Sequence, residues 1–151
     1  MRGGAQAVYG ASWRRHGERR LRAARIARVL RPSVHAVGGV VSTELTVPYR
    51  GRWFRPDVGV LLTAEPPLDG VLERAPSLVV RLGDPLSAAA WLQAGADVVW
   101  AVEGGTVWEL SSRHRRVLTP DDWLTHPGEL ALRLPARELV GEPTPRTRVG
   151  A

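Results

Sequence analysis

Residues 76–110 read PSLVVRLGDPLSAAAWLQAGADVVWAVEGGTVWEL. Leu78–Leu82 is a short apolar run broken by one charge, Arg81, and it reads as a strand. Asp84-Pro85 has the form of a helix N-cap followed by proline in the first helical position. The helix then extends to Ala94 and stops at Gly95. Val98–Val102 and Thr106–Leu110 are two more strands, and Glu103-Gly104-Gly105 between them has the composition of a tight hairpin turn. Trp100 and Trp108 flank that turn and are expected to pair across the strands. Strand, helix, strand and hairpin in succession define a mixed α/β domain.

Working outward, Val58–Leu62 is a second short apolar run that suits a central strand. Val34–Val41 and Glu44–Tyr49 read as strands, with Gly38 and Gly39 as a bulge or bend. Arg50-Gly51-Arg52 is a turn, and residues 64–76 form a loop. Towards the other end, Thr119–Trp123 reads as the start of a short helix and Leu130–Leu134 as a last extended piece. From Gly141 the composition turns to Pro, Thr, Arg and Gly, and a frayed tail is expected.

The 151 residues fit one domain with a packed core, since 44% are hydrophobic. All 21 positive residues are arginines, so no reaction that needs a lysine amine can run here. The net charge of +6 is unevenly spread. Residues 1–31 hold nine arginines against one acid, Glu18, whereas the remaining 120 hold twelve arginines and fourteen acids. The basic character therefore belongs to one element, an amphipathic helix from Ser12 to Leu30 that Pro32 is expected to end. Its apolar stripe is read as Leu21, Ala24, Ile26, Ala27, Val29 and Leu30. Arg14, Arg15, Arg19, Arg22 and Arg25 cover the rest and are the candidates for contacts with nucleic-acid phosphates. The plainer reading of the same pattern is a docked helix with a solvated basic face. The chain divides into an Arg-rich helix (1–31), a folded domain (32–140) and a tail (141–151).

Cysteine is absent, which excludes disulfides, thiolate nucleophiles and Cys-ligated zinc. No apolar run is long enough to cross a bilayer, and the Arg-rich start is unlike a secretory leader, so a cytoplasmic protein without membrane partners is expected. His16, His35, His114 and His126 have no close ligand spacing and read as surface or capping residues. No serine lies in a G-x-S-x-G context, and the glycine pairs are turns rather than phosphate loops.

Asp57 stands at the mouth of the Val58–Leu62 strand, where a carboxylate can bind a metal or simply serve turn chemistry. Its surroundings carry more. Arg55-Pro56-Asp57-Val58, then Pro76–Leu82, then Trp91–Glu103, and finally 117–140 form an ordered series. This series resembles the Uma family of restriction-endonuclease-like proteins, in the PD-(D/E)xK nuclease superfamily, over about residues 33–140. The resemblance implies a restriction-endonuclease-like core: a mixed β-sheet flanked by helices. It also implies DNA as partner, Mg²⁺ as cofactor, and phosphodiester hydrolysis through two carboxylates and a lysine.

On that likeness Asp57 matches the first carboxylate, whereas Arg81 stands where the second, a glutamate, is called for. The lysine has no counterpart. Ser87 falls near it, Trp91 near a family tyrosine, and Glu103 at the acid that closes the strand before the hairpin. Two unit charges ~4 Å apart at an effective dielectric of ~20 interact by roughly 4 kcal/mol, so a guanidinium there would repel a divalent cation. It would attract Asp57 instead. The expectation is an Arg81–Asp57 structural pair in a site without metal, in a domain kept as a DNA- or protein-binding module that could dimerise or join an intact homologue. The alternative is an active Mg²⁺-dependent endonuclease in which Arg81 replaces the lysine and Asp57 works with Asp84 or Glu103.

Overall fold

A computed structural model describes residues 2–62, 66–83, 85–126, 128 and 130–141. For residues 2–16 and for Leu86 it describes the backbone alone. The elements in chain order are α1 (Arg2–Ala36), β1 (Val40–Ser42), β2 (Val47–Tyr49), β3 (Arg52–Phe54) and β4 (Val58–Leu61), then β5 (Leu78–Leu82), a 3-10 turn (Pro85–Ser87) and α2 (Ala88–Gln93), and finally β6 (Val98–Glu103), β7 (Thr106–Ser111), β8 (Arg115–Leu118) and α3 (Arg137–Val140).

Six strands form one sheet in the order β1-β4-β5-β6-β7-β8. Only β5 and β6 run parallel, and α2 is the crossover that this requires. Every other neighbour is antiparallel. The strands read as apolar runs because both faces are covered. Val58, Val60, Leu78, Val80, Leu82, Val98, Trp100 and Val102 point to one side, where Ala23, Ile26, Ala27, Leu30 and Val34 of α1 meet them with Leu139 of α3. The alternate positions, such as Val79, Val99 and Ala101, face Ala88 and Trp91 of α2 and the β2–β3 hairpin. Ile26, Leu30 and Val34 are fully buried, and each contributes about 1.5–3 kcal/mol. Gly59 in β4 is bare for a reason: a Cβ there would lie 2.8 Å from Leu45 and 2.9 Å from Pro76.

The mixed sheet flanked by helices in a single domain agrees with the expected architecture, but several local readings change. Helix α1 does not end before Pro32. The proline is exposed near the last turn, and Leu30 and Val34 on either side of it are buried. The stop is Gly38 at φ +78°, where Gly39 N–H bonds the Val34 carbonyl at 3.0 Å and Gly38 N–H bonds that of His35 at 3.0 Å. Hence residues 34–36 are helical rather than extended, and the apolar stripe includes Ala23 and Val34 while Leu21 and Ala24 are exposed. Arg50 and Gly51 both have positive φ and close the β2–β3 hairpin as a two-residue turn.

Thr119–Trp123 is a turn rather than a helix: Asp122 accepts the Thr119 N–H at 2.7 Å through its side chain, which draws the backbone out of helical continuation. Leu130–Leu134 forms no strand; Leu130 packs in the core, and the Leu134 carbonyl accepts the Leu124 N–H. The Asp84 cap and the tail beyond Gly141 lie outside the described residues. Trp100 and Trp108 do not pair. The hairpin sets Glu103 opposite Thr106, so Trp100 falls opposite Glu109, and Trp108 opposite Ala101 on the other face.

Glu109 is the buried charge of the described residues, with 0% exposure. Trp100 Nε1–H donates to it at 3.1 Å, Arg116 Nε–H at 2.7 Å and Thr125 N–H at 3.3 Å, with the Thr125 hydroxyl 3.1 Å from both oxygens. Burial pushes the carboxyl pKa up, but the bonds from Arg116, His114, Trp100 and Thr125 outweigh it and leave the value below the ordinary 4.5. Glu109→Ala is expected to lower the unfolding free energy by about 2–3 kcal/mol at neutral pH, because Trp100 and Thr125 lose their acceptor. A depressed native pKa means that this contribution is complete above pH 4.5 and is lost as pH falls through the native value. Urea titrations of both proteins should therefore converge in acid.

Candidate active site

The sheet end formed by the start of β4 and the ends of β5 and β6 holds Asp57. Pro56 precedes it and β4 begins after it, so the carboxylate sits beside the last residues of β5. The Leu82 N–H donates to Asp57 Oδ2 at 2.8 Å. Arg19 of α1 closes on the carboxylate as a fork, Nε to Oδ1 at 2.6 Å and Nη2 to Oδ2 at 2.9 Å. Asp57 is only 12% exposed and Arg19 is 42% exposed. The hydrogen bond to Asp57 raises the Arg19 pKa above its ordinary value against the opposing effect of burial.

Arg81 therefore does not pair with Asp57. Asp57 stands before the first residue of β4, and its carboxylate is taken by Arg19 of α1 and by the Leu82 N–H. The Arg81 Nε is buried and has no hydrogen-bond partner.

Two shallow cavities flank the fork. One, of about 360 Å³, is lined by Arg19, Arg20, Thr43, Glu44, Arg55 and Asp57 among others. The other, of about 270 Å³, includes Glu18, Arg19, Arg22, Leu82 and Glu103. Acids are thus present around Asp57, yet no cluster of three or more metal-ligating side chains occurs among the described residues. Asp84, the other acid expected to serve a metal, lies outside them, as do the side chains of Arg14 and Arg15. Of the remaining helix arginines, Arg22 lines the second cavity. Arg25 packs against Gly141, where a Cβ would run into its guanidinium. The structure thus brings Arg19 and Asp57 together and gives Arg81 no bond to that carboxylate.

Sequence reading marked Arg19 as a helix-surface cation and missed its role as the partner of Asp57, because the pair spans 38 positions and depends on how α1 docks. The Glu109 cluster was missed as well. Its signal was an acid at an inward position of an alternating strand, opposite a tryptophan.

Two stability measurements separate these arginines. Arg19→Gln and Asp57→Asn should each cost about 1 kcal/mol, and the double variant little more than either, since the fork is partly screened by solvent. Arg81→Met should leave stability unchanged or raise it by about 1 kcal/mol, because it removes a buried donor that has no acceptor.

No family model matches the chain, and no curated protein matches it. Among solved structures, the fold is similar to that of a chain from Anabaena variabilis ATCC 29413 that carries a provisional description, as a nuclease belonging to DUF820. The TM-score is 0.62 at 17% sequence identity, and the match covers 79% of this chain and 80% of that one. This chain has the fold of that nuclease-like protein.

Proposed function

We propose that this chain is a restriction-endonuclease-like domain of the Uma type that works as a DNA-binding module in the cytoplasm rather than as a nuclease. The observation that carries the reading is the state of Asp57. Both of its oxygens are engaged by one guanidinium, and one of them also accepts the Leu82 N–H. A Mg²⁺ ion needs free carboxylate oxygens and several waters, and here it would have to displace a charged fork first. Arg81, at the position where the resemblance calls for a second acid, adds positive charge and supplies no ligand. The nuclease-like fold and the Arg-rich helix support DNA as the partner. Phosphate contacts fall to Arg14, Arg15 and Arg22, with Arg19 and Arg25 contributing less because each is already packed. A second copy of the chain, or an intact homologue, would extend the same binding surface.

Equilibrium binding to a short duplex tests this. Three phosphate contacts give an affinity that falls about 40-fold between 50 and 200 mM salt, and Arg22→Gln should reduce the logarithmic slope by about one. A flat salt dependence would exclude DNA as the partner. Incubation with supercoiled plasmid and Mg²⁺ or Mn²⁺ should leave the plasmid intact. Nicking that disappears in Asp57→Ala would establish the alternative, an active metal-dependent endonuclease with a rearranged site that uses Asp57 and Asp84.

A further inference from the structure

The opposite end of the sheet holds a second polar constellation that the Asp57 site does not use. Val98 pairs with Ser111, so the end of β7 lies at the start of β6, away from Leu82 and Glu103. Here Ser111 Oγ lies 3.2 Å from His114 Nδ1, and His114 Nε2 lies 3.1 Å from Glu109 Oε2.

The proton positions follow from the chemistry. Glu109 is held ionised and can only accept, so Nε2 of His114 carries the hydrogen. In the neutral ring Nδ1 is then a bare lone pair, and the Ser111 hydroxyl must be the donor to it. Ser111 Oγ also accepts the N–H groups of Arg113 and His114 at 3.2 Å each. The hydroxyl is thus held in place with its hydrogen aimed at a base, and the base is oriented by a buried acid.

A cavity of about 380 Å³ opens beside it, with Asp97, Ser111, His114, Thr125 and His126 in its wall. His126 accepts the Gly128 N–H through Nδ1 at 3.0 Å, which places its own proton on Nε2. That nitrogen is buried and has no hydrogen-bond partner. Burial lowers the His126 pKa, against Asp97 and the Ser77 carbonyl, which act the other way.

We propose that Ser111, His114 and Glu109 form a nucleophile–base–acid relay that takes acyl groups from small activated esters. Ser111 Oγ attacks the carbonyl carbon while its proton passes to His114 Nδ1, and Glu109 steadies the imidazolium through Nε2. The bond to the leaving alkoxide breaks, and the imidazolium returns the proton to the departing oxygen. Water, deprotonated in turn by His114, releases the acid and restores Ser111. Arg116 shares Oε2 of Glu109 with His114 at 2.7 Å and offsets part of the acid's charge. The relay therefore suits activated esters and fluorophosphonates rather than amides.

The test uses the full chain with a fluorophosphonate probe, which loses fluoride on attack, and with p-nitrophenyl acetate. The expected result is an adduct mapped by mass spectrometry to Ser111, with ester hydrolysis above buffer. Ser111→Ala should abolish both. His114→Gln leaves the backbone N–H bonds to Ser111 available, and it should slow labelling by about 10²-fold with an unchanged circular dichroism spectrum. This second variant keeps the test decisive if Ser111→Ala disturbs the turn. An unlabelled protein, an adduct on Ser112 instead, labelling that His114→Gln does not slow, or hydrolysis that survives Ser111→Ala would each overturn the proposal.

Discussion

A single carboxylate ties three elements together. Asp57 begins β4, accepts the backbone of β5 at Leu82, and is gripped by Arg19 from α1. An acid so placed at a strand end would lose its hydration without return unless a cation came to it. The helix brings that cation as a by-product of its own packing, since Ala23, Ile26, Ala27, Leu30 and Val34 already commit it to this face of the sheet. Arg19 lies one turn before Ala23, and its long side chain reaches Asp57 at the sheet end. Apolar burial sets the position of α1, and the ion pair then defines the chemistry available at Asp57.

The centre of the fold was legible in the residues because its signals are local. The apolar runs at 58–61, 78–82, 98–103 and 106–111 are strands, Gly95 ends α2 with φ +114°, and the glycine pair turns the hairpin. The periphery was less legible. Strand β8 is Arg115-Arg116-Val117-Leu118, with three exposed positions, and its pairing with β7 is dictated by the hairpin rather than by its own pattern. The four residues of α3 are too few for a helical period to show. Pro32 misled because the burial of Leu30 and Val34 on either side of it outweighs the helix bond that a proline forgoes.

The candidate site followed the same division. Asp57 was visible from its place before an apolar run. Its partner was not, since Arg81 is near it in the sheet, whereas Arg19 is 38 positions away and reaches it only through the docking of α1. The Glu109 cluster shows the reverse case. His114, Arg116 and Thr125 come from a turn, an edge strand and a loop that look unremarkable singly, and they converge because one inward acid must be satisfied.

The edge strand β8 has a consequence of its own. Its outer flank has no neighbouring strand among the described residues, and such an edge is the usual invitation to edge-to-edge pairing with another chain. Arg115 and Arg116 are exposed along it, and the Arg115 guanidinium carbon sits 5.2 Å from the centre of the Trp108 ring. A second copy approaching that flank would bring guanidinium against guanidinium, and arginine cannot shed its charge to relieve the repulsion. The same side chains that satisfy Glu109 and cover Trp108 therefore guard the chain against fibre-like polymerisation.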